Sequence, residues 1–70
     1  MAGFKLTVEL LDKKICDVEA GATNTETYRE FIHNSEKYFA LSTTTDEMLD
    51  KALDADLNKY FNFLCGLWDK

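Results

Sequence analysis

Near its C-terminus the chain reads Leu57-Asn58-Lys59-Tyr60-Phe61-Asn62-Phe63-Leu64-Cys65-Gly66-Leu67-Trp68. At 3.6 residues per turn, this stretch places six apolar side chains on one face of a helix. They are Leu57, Tyr60, Phe61, Leu64, Leu67 and Trp68. Such a face has to be buried, so the stretch predicts a folded core, with Trp68 buried at its end and needed for folding. None of these side chains indicates an active site.

The length and the cysteine content set the class of protein. With 70 residues, the chain is near the lower limit for a single apolar core, and we expect one domain over residues 1–70. Cys16 and Cys65 are too few to form a disulfide framework and are interpreted as reduced thiols. The N-terminus lacks the apolar segment of a secretory signal, and no apolar run could span a bilayer. The expected location is the cytoplasm.

The charge balance narrows the range of partners. Thirteen acidic residues stand against eight basic ones, for a net charge of −5. This argues against direct nucleic-acid binding, which depends on Lys and Arg at phosphates, and equally against docking on anionic membranes. It fits a basic protein partner, and it also fits a protein whose acidity serves only solubility.

The N-terminal third has an alternating pattern. Apolar residues alternate with polar ones in two runs, which predicts two strands of a β-hairpin joined by the polar break at residues 12–14. The apolar members are Phe4, Leu6, Val8 and Leu10 in the first run and Cys16, Val18 and Ala20 in the second. A hairpin alone is marginal in water, so helices or a third strand are expected to cover it.

The middle of the chain predicts a helix and an ambiguous segment. Thr23 and Glu26 have capping-box spacing and predict a helix over residues 24–34. Its apolar stripe fails at Ser35 and Glu36, which predicts a helix end there. Residues 38–43 fit either a third strand or an extension of the helix, and we favour the strand.

The next helix is expected to begin at a second capping box, formed by Thr44 and Glu47. The apolar stripe that follows is out of phase with the stripe that starts at Leu57, which predicts a break near Asp54, with Asp54 capping the last helix. The predicted fold class is therefore α+β. It consists of a small antiparallel sheet, made of the N-terminal hairpin and a third strand near 38–43, covered by two or three helices.

Signals of metal or catalytic sites are weak. Asp54 opens a run with calcium-loop spacing, but Lys59 and Cys65 stand where that loop needs glycine and a bidentate glutamate. Cys16, Cys65 and His33 lack the local pairing of zinc ligands. No phosphate loop or nucleophile elbow occurs. We expect no catalytic residues, no metal, no cofactor and no enzymatic activity.

Two features remain as candidates for binding a protein. One is an acid run that would steer a basic partner, and the other is an aromatic flank of the last helix that would anchor it. Phe63 lies about 100° from the centre of the buried face, so either it is exposed in that flank or another segment covers it. The candidate residues are Asp46, Glu47, Asp50, Asp54 and Asp56 in the run and Tyr60, Phe63 and Leu67 in the flank.

In size and charge the chain is similar to the short accessory proteins of phages and mobile elements, including inhibitors of bacterial defence systems. That similarity is one of composition. The prediction is a non-catalytic acidic regulator or inhibitor that binds a basic protein. The alternative is a self-assembling structural or adaptor protein, in which an uncovered hairpin edge and the aromatic flank pair two copies into a homodimer.

Overall fold

The computed structural model describes residues 5–69, and every regular element in that range is helical. The elements are a 3₁₀ helix at Val8–Leu10 and the α-helices α1 (Ile15–Val18), α2 (Tyr28–Tyr38), α3 (Asp46–Lys51) and α4 (Asp54–Trp68). Residues 5–69 contain no β-strand, and the backbone pairing outside the helices includes one isolated antiparallel bridge between Lys14 and Thr27. The prediction of an α+β fold is therefore wrong.

The predicted N-terminal hairpin is replaced by the 3₁₀ helix, a tight turn and the short helix α1. Backbone N–H groups are satisfied locally, as in the bonds from Leu10 to the Thr7 carbonyl and from Leu11 to the Val8 carbonyl, at 3.0 and 3.2 Å. The buried residues of this segment are Leu6, Leu11 and Ile15. Leu6 and Leu11 are five residues apart, so they would point to opposite faces of a strand. The predicted pairing of two copies through a hairpin edge loses its basis in the described residues. Phe4, the first residue of the predicted strand, lies outside them.

Helix α2 begins later and ends later than predicted. Thr27, rather than Thr23, is its N-cap, and Thr27 and Glu30 form a complete capping box. The helix continues through Ser35 and Glu36 to Tyr38. The third strand predicted near residues 38–43 is therefore also wrong, and the alternative of a longer helix is correct as far as Tyr38.

A left-handed residue ends α2. Ala40 has a φ of 57°, and two backbone bonds close the last turn, from Ala40 N–H to the Lys37 carbonyl and from Leu41 N–H to the Glu36 carbonyl. This is the hydrogen-bond pattern of a Schellman motif, which usually has glycine at the left-handed position. It turns the chain so that Leu41 packs against the core.

The predicted break before the last helix is confirmed, although both predicted caps shift. Helix α3 ends at Lys51 and α4 starts at Asp54. Thr45, not Thr44, caps α3 by accepting a hydrogen bond from the Met48 N–H. Leu53 occupies the N-cap position of α4 without a side-chain bond. The Asp54 carboxylate instead accepts the Val8 N–H at 3.1 Å, which ties the 3₁₀ helix to the start of α4.

One apolar core joins these elements. Helix α2 packs against α4, and α3 packs against the 3₁₀ helix. Phe61 contacts Tyr28 and Phe31 edge to face, with ring centroids 5.4 and 5.5 Å apart. The buried apolar residues are Leu6, Leu11, Ile15, Tyr28, Ile32, Leu49, Leu57, Phe61 and Leu64. The apolar face predicted for the last helix is therefore confirmed at Leu57, Phe61 and Leu64.

The end of that face differs from the prediction. Trp68 is 44% exposed, so its predicted burial is wrong. Phe63 is 52% exposed, which decides between the two readings of this residue in favour of exposure. Within residues 5–69, none of the helices has the length and apolar character that crossing a membrane requires.

Candidate functional site

The structure places a carboxylate in the core at the residue where the sequence predicted a helix end. Glu36 is 1% exposed and its neighbour Ser35 is fully buried. Both occupy the positions at which the apolar stripe of α2 was expected to continue. Burying a carboxylate without partners is costly, so its hydrogen bonds decide whether the helix can run through this point.

The Glu36 carboxylate accepts hydrogen bonds from three directions. Thr44 donates its N–H at 3.1 Å and its hydroxyl at 2.5 Å. Tyr60, on α4, donates its hydroxyl to the same oxygen at 2.5 Å. His33, one turn earlier on α2, faces the other oxygen at 3.4 Å. These bonds join α2, the segment after it and α4 around one buried charge.

The hydrogen bonds reverse the effect that burial has on acidity. Burial alone raises the pKa of Glu36, but the bonds from Thr44, Tyr60 and His33 favour the ionised form and hold the pKa below its ordinary value. Burial and the bond to Glu36 together raise the pKa of Tyr60 to about 12. At neutral pH the pair is therefore a carboxylate and a neutral phenol.

The network continues from Glu36 to the surface through His33. The second ring nitrogen of His33, Nε2, lies 2.7 Å from a carboxylate oxygen of Asp46. The doubly protonated imidazolium can donate to Asp46 and Glu36 at once. The bonds to Asp46 from His33 and then Arg29 hold the pKa of Asp46 below its ordinary value.

Arg29 is the centre of the surface part of the network. Its guanidinium lies 2.8 Å from Asp12, 3.3 Å from Asp46 and 2.7 Å from Asp50. Bonds to Asp12 and Asp50 raise the pKa of Arg29 above its ordinary value. The three carboxylates are 76%, 66% and 55% exposed, whereas the Arg29 side chain is 18% exposed. Three surface carboxylates therefore share one cation that lies beneath them.

Several of the predicted binding residues are brought together in this way. Asp50, Asp46 and Tyr60 belong to one hydrogen-bonded chain that runs through Arg29, His33 and Glu36. Phe63 adjoins it, with its ring stacked 6.3 Å from that of Tyr60.

The other predicted residues lie outside the chain of hydrogen bonds. Glu47 pairs with Lys51 at 2.8 Å on the exposed side of α3. Asp54 holds the Val8 N–H, as described above, and Leu67 is half-buried against the core. Asp56 is exposed and has no hydrogen-bond or ion-pair partner within residues 5–69. Of the aromatic flank, Phe63 is thus the most exposed member.

Two exposed apolar residues were missed by the sequence prediction. Met48 is 59% exposed and Leu53 is 71% exposed, although both belong, with Leu49 and Ala52, to the apolar stripe that precedes Asp54. Helix α3 has six residues and is about 9 Å long, which is less than two turns. Leu49 is its buried residue, and Met48 is exposed. The phase mismatch between this stripe and the next was the signal that could have identified them.

The chemistry available to this arrangement is limited. Both oxygens of Glu36 and both nitrogens of His33 have partners, so neither group is free to act on a substrate. Within residues 5–69, no group of three or more His, Cys, Asp and Glu side chains is arranged to hold a metal ion. Burial raises the pKa of the Cys65 thiol, which lowers its reactivity at neutral pH.

Comparison with protein-family models finds no match, and comparisons with curated proteins and with solved structures find none either. Function is therefore inferred from the side chains themselves.

Proposed function

We propose that this chain is a non-catalytic acidic interaction protein, a small regulator or inhibitor that binds a basic protein through the surface around α3. The observation that carries the proposal is the sharing of Arg29 by Asp12, Asp46 and Asp50. With one guanidinium against three carboxylates, these four side chains have a formal excess of two negative charges. Exposed charge of one sign accelerates the association of an oppositely charged partner.

The same surface offers apolar contact area. Met48 and Leu53 are among the most exposed large apolar side chains of the described residues, and Met48 lies on the same short helix as Asp46 and Asp50. Protein interfaces commonly combine an apolar centre with a polar rim, and methionine is enriched in them. Phe63, stacked on Tyr60, supplies an aromatic anchor next to the inner end of the network.

Hydrogen bonds that are exposed at Arg29 and part-buried at Glu36 hold the side chains of this surface in place before a partner arrives. Arg29, His33 and Glu36 all lie on α2 and connect the carboxylates of α3 with Tyr60 on α4. Because the side chains are already ordered, less conformational entropy is lost on binding. The proposed location is the cytoplasm, a reducing compartment that suits the free thiols of Cys16 and Cys65.

The test begins with affinity capture from the native cytoplasm, followed by measurement of the association rate of the captured protein at several salt concentrations. Glu47→Gln combined with Asp56→Asn removes two exposed charges and leaves the Arg29 cluster intact. We expect a basic partner, whose association with this double variant is slowed roughly two- to tenfold at low salt and depends less on salt.

Asp69→Asn is the matched control. Asp69 follows α4, about 20 Å along the helix from Asp56, and its neutralisation should leave the rate nearly unchanged. A captured partner that is not basic, or a double variant with unchanged rate and salt dependence, would contradict the proposal.

A further inference from the structure

A second surface feature lies on the opposite flank of α2 from the Arg29 cluster. A cleft of about 450 Å³ opens between α2, the end of α4 and the segment before α2. We call it the aromatic groove, and it is lined by Asn24, Glu26, Phe31, Asn34, Ser35, Tyr38 and Trp68. Its volume is within the range of about 300–1,000 Å³ that is typical of ligand sites.

Aromatic rings form one wall of this groove. Tyr38 and Trp68 stack with their ring centroids 4.6 Å apart, and Phe39 braces Trp68 from the side at 4.9 Å. Trp68 donates its indole N–H to the Ser35 hydroxyl at 2.8 Å, which fixes the orientation of the ring. Even so, Tyr38 remains 70% exposed and Trp68 44% exposed. The rings are therefore held in place with much of their surface open to solvent.

A carboxylate also lines the groove. Glu26 accepts hydrogen bonds from the side-chain amides of Asn24 and Asn34, both at 3.1 Å. These neutral donors position the carboxylate without neutralising it, and no Lys, Arg or His within residues 5–69 forms an ion pair with it. Among the described residues 5–69, no basic side chain lines the groove. Within that range, the groove therefore combines fixed aromatic surface with a negative charge that no ion pair compensates.

This combination selects a planar cation. A guanidinium stacks on aromatic rings and also donates two parallel hydrogen bonds to a carboxylate, whereas an ammonium acts as a compact point charge. We propose that the aromatic groove binds an arginine side chain of the partner, with the guanidinium between the aromatic wall and Glu26. The inference rests on the proposed function in that the partner is a basic protein, and it gives that partner a second contact, on the flank of α2 opposite the α3 surface.

The surroundings of the groove indicate a chain segment rather than a single residue. A second depression of about 430 Å³ adjoins it and shares Asn24 and Phe31 with it. This second depression carries another carboxylate, Glu19, which accepts the Tyr28 hydroxyl at 2.6 Å. Residues flanking the bound arginine can lie in this continuation, next to a further negative charge.

The test uses the full chain and a short peptide, acetyl-Ala-Arg-Ala-amide, without the natural partner. The matched probe carries citrulline, which has nearly the same shape as arginine but no charge. Trp68 is the only tryptophan, so its fluorescence and its indole N–H resonance in NMR spectra report directly on the groove. We expect the arginine peptide to shift the signals of Trp68 and Glu26 and to bind at least about tenfold more tightly than the citrulline peptide, which corresponds to one lost charge-assisted interaction.

Two variants of groove residues and one control variant locate the site. Glu26→Gln should weaken binding of the arginine peptide about tenfold, and Glu9→Gln, which changes an exposed carboxylate outside the groove, should not. Tyr38→Leu removes exposed aromatic surface without touching the core and should also weaken binding. A melting curve close to that of the parent establishes that each variant is folded.

Equal binding of the arginine and citrulline peptides would overturn the inference, as would the absence of any shift, or shifts confined to the α3 surface around Asp46 and Asp50. These results would not contradict the proposed function, because that proposal is tested separately, with the captured partner and the double variant at Glu47 and Asp56. Conversely, a captured partner without excess basic charge would overturn the proposed function, even if the peptide bound in the groove.

Discussion

Tyr60 donates a hydrogen bond of 2.5 Å to the buried carboxylate of Glu36, which lies 24 residues earlier in the chain. This contact joins the two longest described helices, α2 and α4, and a second polar bond, from the Trp68 indole N–H to the Ser35 hydroxyl, joins them further along. Thr44 donates to the same oxygen, so the segment that leads into α3 is fixed at the same point. The acidic surface on α3 is thus positioned by a charge inside the protein.

Removing the Tyr60 hydroxyl should be costly. Tyr60→Phe leaves the ring in place but deprives a buried carboxylate of one donor, and we expect the free energy of unfolding to fall by about 2 kcal/mol. Tyr38→Phe is the matched control, because Tyr38 is 70% exposed, and it should change stability by no more than about 0.5 kcal/mol. Urea denaturation measures both. Equal effects of the two substitutions would show that the hydrogen bond between Tyr60 and Glu36 does not contribute to the free energy of unfolding.

Glu36→Gln should interact with Tyr60→Phe rather than add to it. Glutamine can still accept from Thr44 and Tyr60 through its amide oxygen, but it lacks the negative charge that strengthens those bonds, so Tyr60→Phe removes less from the Glu36→Gln variant than from the parent. We expect the double variant to be less destabilised than the sum of the single variants, by about 1 kcal/mol or more. Strict additivity in urea denaturation would contradict a direct coupling.

The network should make the protein sensitive to acid. The pKa values of Glu36 and Asp46 are lowered in the folded state from ordinary values of 4.5 and 3.8. Each group therefore contributes stability above its ordinary pKa, and this contribution is lost as the pH falls through the folded value. We expect urea midpoints to change little from neutral pH to about pH 5 and to fall below it. Glu36→Gln should flatten this fall, and a curve parallel to that of the parent would exclude Glu36 as a cause.

The left-handed residue after α2 offers a simple stabilising substitution. Ala40 has a φ of 57°, a conformation that is unfavourable for a residue with a Cβ and accessible to glycine. Ala40→Gly should raise the free energy of unfolding by about 0.5–1 kcal/mol, after allowance for the greater freedom of glycine in the unfolded chain. The reverse control is Gly21→Ala, at a φ of 83° with open space around the added Cβ, which should destabilise the protein through backbone strain alone. Thermal melting of both variants checks the signs.

Replacing a large side chain by alanine should cost less stability at the end of α4 than in its middle. Trp68 is 44% exposed, whereas Leu64 is fully buried. Leu64→Ala should cost about 2–5 kcal/mol and leave little folded protein, whereas Trp68→Ala should cost about 1–2 kcal/mol and remain folded. Circular dichroism at increasing temperature distinguishes them. Loss of folding in Trp68→Ala would indicate that the aromatic cluster with Tyr38 and Phe39 is essential to the core.

The pattern of the last helix was readable from the sequence because a long amphipathic helix is recognised from local spacing alone. Leu57, Phe61 and Leu64 are buried as the 3.6-residue period predicts, and Phe63 is exposed because it lies off that face. The break before Asp54 was visible as a phase shift between two apolar stripes. Each of these features depends on residues that are close together in the chain.

The N-terminal segment was misread because its alternation is short. Leu6, Val8 and Leu10 alternate with polar residues, as in a strand. The same segment can also form a turn in which Leu6 and Leu11 are buried. A run of four to six residues does not separate these solutions. The choice is made by packing, since α3 packs against the 3₁₀ helix. From α4, Asp54 accepts the Val8 N–H and Asn58 accepts the Leu6 N–H.

By itself, the sequence determined the helical period of α4, its buried face and the helix break before it, since these follow from spacing along the chain. Only the tertiary structure decided the fate of Glu36. A glutamate in an apolar stripe marks a helix end if its carboxylate has no partners and a core residue if it has them. Its donors come from Thr44 and Tyr60, 8 and 24 residues away. The Glu36 carboxylate is stable in the core because these donors reach it, and they reach it only when the chain is folded.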